Sequence, residues 1–305
     1  MEYVLRTLNL SKKYKNKLVL DKVCINIKRG DIYGFVGENG SGKTTVIRCV
    51  CGLVRPNGGS IELFGTKDTD AGILVERKKM SAVVETPSIY LNMSAFDNLK
   101  MQCDILGLKN YDKIEQVLSE VGLSYLSKDK KKAGDFSLGM RQRLGIAMAL
   151  LGEPEFMILD EPMNGLDPTG IVEIRELILK LNRERNMTFL ISSHILTELS
   201  LVATTYGIIS KGKLIKEVSA ENLQRECGRS IYLEGQDNTK LFFALKERFG
   251  DNVREEGVGV RVFGDADVNE VLDVALKTTA LIIVNNSRLG IEDYYLSIVG
   301  GERNV

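Results

Sequence analysis

Apolar and polar positions alternate almost from the first residue. VLRTLNL and VLDKVCINI, separated by the charged stretch SKKYKNK and followed by KRGD, read as strands joined by turns in an antiparallel patch. IYGFVG is continuously apolar and predicts a buried strand. It runs into GENGSGKTTVIRCVCGL, where glycines give way to apolar residues at helical spacing. RPNGGS marks another turn before the strand IELFG. Beyond Gly65 the chain is charged and helical in places, with MSAVVE as a strand and SAFDNLKMQCDILGL as a helix capped at Ser94. SLGMRQRLGIAMALLG predicts a helix starting at Ser137, followed by the strand FMILDE, the helix IVEIRELILKLNRER, the strand TFLISS and the hairpin YGIISKGKLIKEV. Apolar strands alternating with helices predict a mainly parallel sheet.

The polar run SAENLQREC, from Ser219 to Cys227, sets an expected boundary between a domain over residues 1–220 and a smaller one over 221–305. The second reads as IYLEG (strand), TKLFFALKERF (helix), VGVRVFG (strand), DVNEVLDVALKT (helix) and ALIIVNN (strand), a small α+β unit. No internal repeat or low-complexity tract is visible. A length of 305 residues suits two domains. Lys and Arg number 41 and Asp and Glu 41, so the chain lacks the basic field that would draw nucleic acid. Cys24, Cys49, Cys51, Cys103 and Cys227 are odd in number and show no C-x-x-C spacing, which favours a reduced chain over a disulfide framework or zinc site. MEYVLRTLNLSKKYK has no apolar core for a signal peptide, and AMALL, FMIL and LIIV fall far short of the roughly 20 residues of a membrane span. A membrane role would need another chain to provide the span.

Gly37-Glu38-Asn39-Gly40-Ser41-Gly42-Lys43-Thr44 is a complete G-x-x-x-x-G-K-[ST], placed after a strand and before a helix. The glycines allow a tight loop whose N–H groups converge on phosphates, and the helix adds its positive end. Lys43 is placed to neutralise the β- and γ-phosphates, and Thr44 to hold Mg²⁺. Thr45 extends the candidate nucleotide contacts. An ordinary glycine-rich turn would not explain the Lys-Thr pair. Phe156-Met157-Ile158-Leu159-Asp160-Glu161 is an apolar strand ending in two carboxylates. Standing alone it is a buried strand with a solvated acidic turn; beside a phosphate loop, Asp160 can orient Mg²⁺ and Glu161 can polarise the attacking water.

With these motifs the sequence resembles the ATP-binding subunit of an ABC transporter, and four further segments, in the family's order, extend the likeness. Phe136-Ser137-Leu138-Gly139-Met140, then Arg141-Gln142-Arg143, is similar to the LSGGQ signature and its basic run. Phe136, Leu138 and Met140 depart from that pattern, whereas Ser137 and Gly139 remain. Asn164-Gly165-Leu166-Asp167-Pro168 resembles the D-loop, which places Asp167 toward a partner subunit. His194, the only histidine, resembles the H-loop switch beside the γ-phosphate. Tyr14 resembles the A-loop aromatic that stacks on adenine. Read without the resemblance, these are a capped helix, a turn, a surface histidine and a strand-edge tyrosine.

The Q-loop position is occupied by Glu85 in MSAVVETP. A carboxylate can accept from a Mg²⁺-bound water but lacks the amide donor. This glutamate and the SLGM form of the signature are similar to the bacitracin- and lantibiotic-resistance exporters. The closing Ile291-Glu292-Asp293-Tyr294-Tyr295 is similar to the ending of many export ATPases. The resemblance implies an α/β fold: a P-loop ABC-type ATPase domain with an antiparallel β subdomain and a helical subdomain, plus the small C-terminal α+β domain. It implies ATP and Mg²⁺ as cofactors, a second ATP-binding subunit in a homodimer, an integral-membrane permease, and a place on the cytoplasmic face of the membrane. The expected function is ATP-driven expulsion of antimicrobial peptides. Export of drugs, lipids or ions stays open, as do a soluble ABC ATPase acting on DNA or ribosomes and a nucleotide-binding regulator that hydrolyses little. The soluble group typically carries tandem cassettes or a long coiled-coil insertion, and neither is present here.

Overall fold

The charged run SKKY does not end the first strand. In the computed structural model, which describes residues 2–226, 229–264 and 266–288 together with 294, 295 and 298, β1 (Tyr3–Tyr14) continues through it. It pairs with β2 (Lys17–Val23) as far as Tyr14 opposite Lys17. An edge hairpin tolerates this, because both strands point their charged side chains into solvent. Then come β3 (Asn26–Lys28), β4 (Ile32–Val36), α1 (Lys43–Val50), β5 (Gly58–Leu63) and β6 (Thr66–Lys67). α2 (Ile73–Arg77), β7 (Met80–Val83), α3 (Ala95–Leu106), α4 (Asp112–Glu120) and α5 (Leu138–Leu150) follow. β8 (Phe156–Asp160), α6 (Pro168–Arg185), β9 (Thr188–Ser193), α7 (Leu196–Leu199), β10 (Thr205–Ser210) and β11 (Lys213–Ser219) complete the larger of two compact units, Met1–Val218 and Ser219–Val305.

That unit contains two sheets. An antiparallel one runs β2-β1-β5-β6, with β3 also on β1; the other, of six strands, runs β11-β10-β4-β9-β8-β7 and is parallel from β10 to β7. Leu5, Ile27 and Ile61 of the first sheet, Val46 and Ile47 of α1, and Phe35, Ile158 and Leu190 of the second form one buried cluster. The parallel strands are largely apolar and almost wholly buried because both faces are covered. Tyr33 of β4 is fully buried, and its hydroxyl donates to Glu217 of β11 at 3.1 Å.

Caps fix the helices that carry motifs. Ser94 accepts from Asp97 N at 3.1 Å at the start of α3. Ser137 accepts from Met140 N at 3.2 Å at the start of α5. Asp167 accepts from Gly170 N at 3.1 Å, and Pro168 opens α6, where its missing N–H costs nothing. α5 packs against the loop after β7 without clearance: a Cβ on Gly145 would lie 2.5 Å from Pro87 Cβ.

The smaller unit comprises α8 (Ala220–Glu226), β12 (Arg229–Gly235), α9 (Asn238–Phe249), β13 (Val253–Glu256), β14 (Gly259–Phe263), α10 (Val268–Thr278) and β15 (Leu281–Arg288). From β12 onward this is a β-α-β-β-α-β arrangement with strand order β13-β14-β12-β15. Its core is Ile231, Leu233, Leu241, Leu245, Val260, Val262 and Val271. The strand β13 has no counterpart in the sequence reading, because VREE is short and charged. Cys227 and the Ile291–Asp293 part of the closing motif lie outside the described residues. Cys24, Cys49, Cys51 and Cys103 are free thiols.

Candidate functional site

The phosphate loop spans residues 37–42 between β4 and α1. Gly37 has no room for a side chain: a Cβ there would meet Ile209 O at 2.4 Å and Ser41 Oγ at 2.6 Å. Gly42 sits at φ 115°, with Leu20 Cδ2 only 2.7 Å from where a Cβ would be. Both positions therefore require glycine, one for space and one for conformation. Asn39 and Gly40 are exposed at the rim, Ser41 and Lys43 are buried, and Thr44 and Thr45 are half-buried on the first turn of α1. Gly42 stands at the N-cap without a side-chain cap, so the first amides of α1 are left for another acceptor.

Lys43 Nζ donates to Gly37 O at 2.6 Å and Glu38 O at 3.3 Å, and lies 3.2 Å from Glu161 Oε1. The other oxygen of Glu161 is 2.7 Å from His194 Nδ1. Three segments far apart in the chain thus meet on one carboxylate. Glu161 follows the last residue of β8 at φ 51°, and its N–H donates to Ser192 Oγ at 2.9 Å. Ser192 Oγ in turn donates to Asp160 Oδ1. Ser192 had no place among the candidate residues, yet from the buried end of β9 it fixes the Asp160 carboxylate and the backbone of Glu161. Its signal was present in the Ser192-Ser193 pair that follows the apolar run FLI and immediately precedes His194.

Asp160 is buried and its Oδ2 has no hydrogen-bond partner; buried Ser41 Oγ has none either. Orphaned buried oxygens are costly unless a ligand completes them. A hard oxygen-seeking cation and a phosphate answer that requirement. Among the described residues no group of three or more His, Cys, Asp and Glu side chains forms a metal cage by itself.

Glu85 sits at φ 60° and its carboxylate is 2.5 Å from Arg48 Nη2. Arg48 is four residues after Thr44, so this ion pair sets Glu85 beside the helix that carries Thr44, about one turn along it. Tyr14 lies 41% exposed at the tip of the β1–β2 hairpin, with Lys12 Nζ 5.1 Å from its ring centre. β2 of the same hairpin abuts the phosphate loop through Leu20.

Ser137, Gly139 and Asp167 come together in a different place. They line a cleft of about 430 Å³ with Leu138, Gly165 and Tyr125, and none of Lys43, Thr44, Asp160, Glu161 or His194 borders it. Tyr125 is 62% exposed in a short turn and carries no motif that would have singled it out.

A sequence profile described as ABC transporter matches residues 20–164. The chain is 39% identical to the bacitracin transport ATP-binding protein BcrA of Bacillus licheniformis, over 99% of both chains. It is 40% identical to the lantibiotic transport ATP-binding protein SrtF of Streptococcus pyogenes, over 76% of this chain and 99% of that one. Among solved structures it is similar to cbiO1 of Clostridium perfringens, part of an ABC transporter complex. That likeness has a TM-score of 0.66 at 27% identity and covers 73% of this chain and 91% of the other.

Proposed function

The chain belongs to the ABC transporter family, and on that premise we propose that its Lys43 centre and its Ser137 cleft are halves of one ATPase site, completed when two copies associate head to tail. The observation that carries this reading is their separation: the groups suited to cleave a phosphate meet at Glu161, whereas the motif suited to grip one lies in a cleft that contains none of them.

Each residue then has a task. The amides of Gly37, Asn39, Gly40, Ser41 and Gly42 and the first turn of α1 receive the phosphates, with Thr45 extending that turn. Lys43 exchanges Glu161 for the β- and γ-phosphates, a stronger anion. Thr44 and Asp160 hold Mg²⁺, while Glu85 remains with Arg48 at the start of the loop that follows β7. Bound Mg²⁺ neutralises charge on the phosphates during transfer. Glu161, released by Lys43, accepts the proton of the attacking water. His194 keeps that carboxylate aimed, and because a carboxylate only accepts, Nδ1 must carry the proton between them. Tyr14 stacks on adenine with the face that Lys12 leaves open. From the second copy, the Ser137 hydroxyl, which accepts from Met140 N and keeps its own proton to donate, and the Gly139 N–H reach the γ-phosphate; Asp167 stands at the seam.

The cargo follows from the relatives. The bacitracin ATPase matches this chain end to end, whereas the lantibiotic ATPase leaves about a quarter of it unmatched. We therefore read the protein as the ATPase of an exporter of bacitracin-type peptides, working as a homodimer at the cytoplasmic face of the membrane beneath a permease. None of the described helices is long and apolar enough to cross a membrane itself. A cleft of about 380 Å³ bordered by Leu53, Val84, Pro87, Gln102 and Met148, directly after Glu85, suits a permease segment.

The test is Glu161→Gln, tagged and purified from its native membranes with Mg-ATP. ATP should be retained, phosphate release should fall by about 10²- to 10⁴-fold, and a multi-spanning chain should co-purify. A deletion strain should become sensitive to bacitracin. Hydrolysis at the parent rate removes Glu161 from its role, and ribosomal proteins or nucleic acid in place of a permease would sink the exporter reading.

A further inference from the structure

The segment Ser127–Lys132 contains four lysines and one aspartate in a chain whose overall charge is zero. Lys128, Lys130, Lys131 and Lys132 are all exposed, and none of them takes part in an ion pair among the described residues. Asp129, the one acid in the run, uses an oxygen on the N–H of Lys131 at 2.8 Å. The cations are not scattered over a mobile tail. Lys132 bridges to Ser94, Ala133 N donates to Met93 O at 2.8 Å, and Gly134 N donates to Leu91 O at 2.8 Å. Residues 132–134 thus run beside residues 91–94. There Tyr90 and Leu91 are exposed by 44% and 51%. Their turn is held from beneath by fully buried Asn98, which accepts from Tyr90 N at 2.7 Å and donates to Tyr90 O at 3.1 Å.

The result is a fixed platform with an exposed tyrosine and leucine beside four exposed lysines, of which Lys131 holds its ammonium 5.9 Å from the centre of the Phe136 ring and none is neutralised by a carboxylate among the described residues. Aromatic and aliphatic side chains beside lysines match the boundary between acyl chains and headgroups. The ring sits at headgroup level and the long lysine stems let the charges stay in water. Anionic headgroups attract such clusters additively, with an effect that salt screens. A duplex nucleic acid would use the cations but leave Tyr90 and Leu91 unmatched.

We propose that Lys128, Lys130, Lys131 and Lys132, together with Tyr90 and Leu91, form a surface that rests on anionic lipid. It rests on the reading of this chain as a membrane transporter subunit, because only there does the platform meet a bilayer. The site holds the ATPase against the membrane independently of the permease, so that subunits released from it stay close to the surface.

The experiment uses the full chain and flotation with large vesicles of phosphatidylcholine alone or with 30% phosphatidylglycerol. The wild type should partition onto the anionic vesicles at least about tenfold more than onto neutral ones, and lose most of that preference at high salt. Replacing all four lysines by Gln should remove it, and Tyr90→Ser with Leu91→Ser should reduce it. All these side chains are exposed, so the variants should keep the parent melting temperature and ATP binding. A control with Lys240→Gln, Lys246→Gln and Lys277→Gln in the smaller unit should bind like the wild type. Equal binding to both vesicles, equal loss in the control, or a preference for duplex DNA over vesicles overturns the proposal. The exporter reading is judged separately by the Glu161→Gln purification, whose outcome does not depend on vesicle binding.

Discussion

The Lys43 centre and the Ser137 cleft, both in the larger unit, are built on opposite plans. At the first, the reactive groups are satisfied by one another: Lys43 and His194 both engage Glu161, and Lys43 is buried. At the second, the helix start of α5 is capped by Ser137 alone and opens on a cleft of about 430 Å³ lined by Tyr125, Gly165 and Asp167. The contrast shows where control lies. On the proposed reading, a general base held by a lysine is idle until an anion draws the lysine away, and an anion grip in a separate cleft has nothing to hold until a second copy presents it. On that reading a single chain would receive ATP and two chains together would hydrolyse it.

The most severe way to break this contrast is to ruin one half in each of two chains. Lys43→Ala and Ser137→Arg should each lower phosphate release by at least about 10³-fold. Mixing the two purified variants with permease should restore about a quarter of the parent rate, because half of the dimers pair unlike chains and each of these contains one intact composite site. Absence of recovery would mean that both halves act within one chain. A smaller effect sharpens the role of the serine. Ser94→Ala and Ser137→Ala both delete a cap, and calorimetry should register a loss of about 1 kcal/mol for each. Only Ser137→Ala should also slow ATP hydrolysis; a matching loss in Ser94→Ala would reduce Ser137 to a cap.

The smallest effect separates the strand leading into the phosphate loop from the rest. Burial, and then the neighbouring Glu217 carboxylate, push the Tyr33 phenol well above the usual tyrosine range. The folded state favours the neutral phenol, so this contribution is complete below about pH 10 and is lost as pH climbs through the raised value. Tyr33→Phe should cost about 1 kcal/mol at neutral pH and flatten the fall in melting temperature above pH 10. An unchanged alkaline slope would remove Tyr33 from that role.

Local chemistry made much of this legible in advance. The phosphate-binding motif is eight consecutive residues whose types are dictated by space at Gly37 and backbone at Gly42, and the caps Ser94 and Ser137 announce themselves beside the helices they start. What stayed hidden depends on encounters between distant segments. Ser192 matters only because β8 and β9 are neighbours, and Tyr125 only because the turn before α5 folds over the Ser137 cleft. The ion pair of Glu85 with Arg48, and the left-handed backbone at Glu85, were likewise invisible until the loop after β7 met α1. The strand β13 escaped because VREE alternates too little to separate it from a charged loop, and its pairing with β14 supplies what its side chains do not.

The close approach of Gly145 to Pro87 has a mechanical consequence. Thirteen residues of α5 span about 20 Å, with Ser137 at one end and Gly145 near the middle bearing on the proline. Since a single added carbon would already collide, helix and proline are in direct contact, and a displacement of the loop after β7 toward α5 would bear on the helix that Ser137 caps.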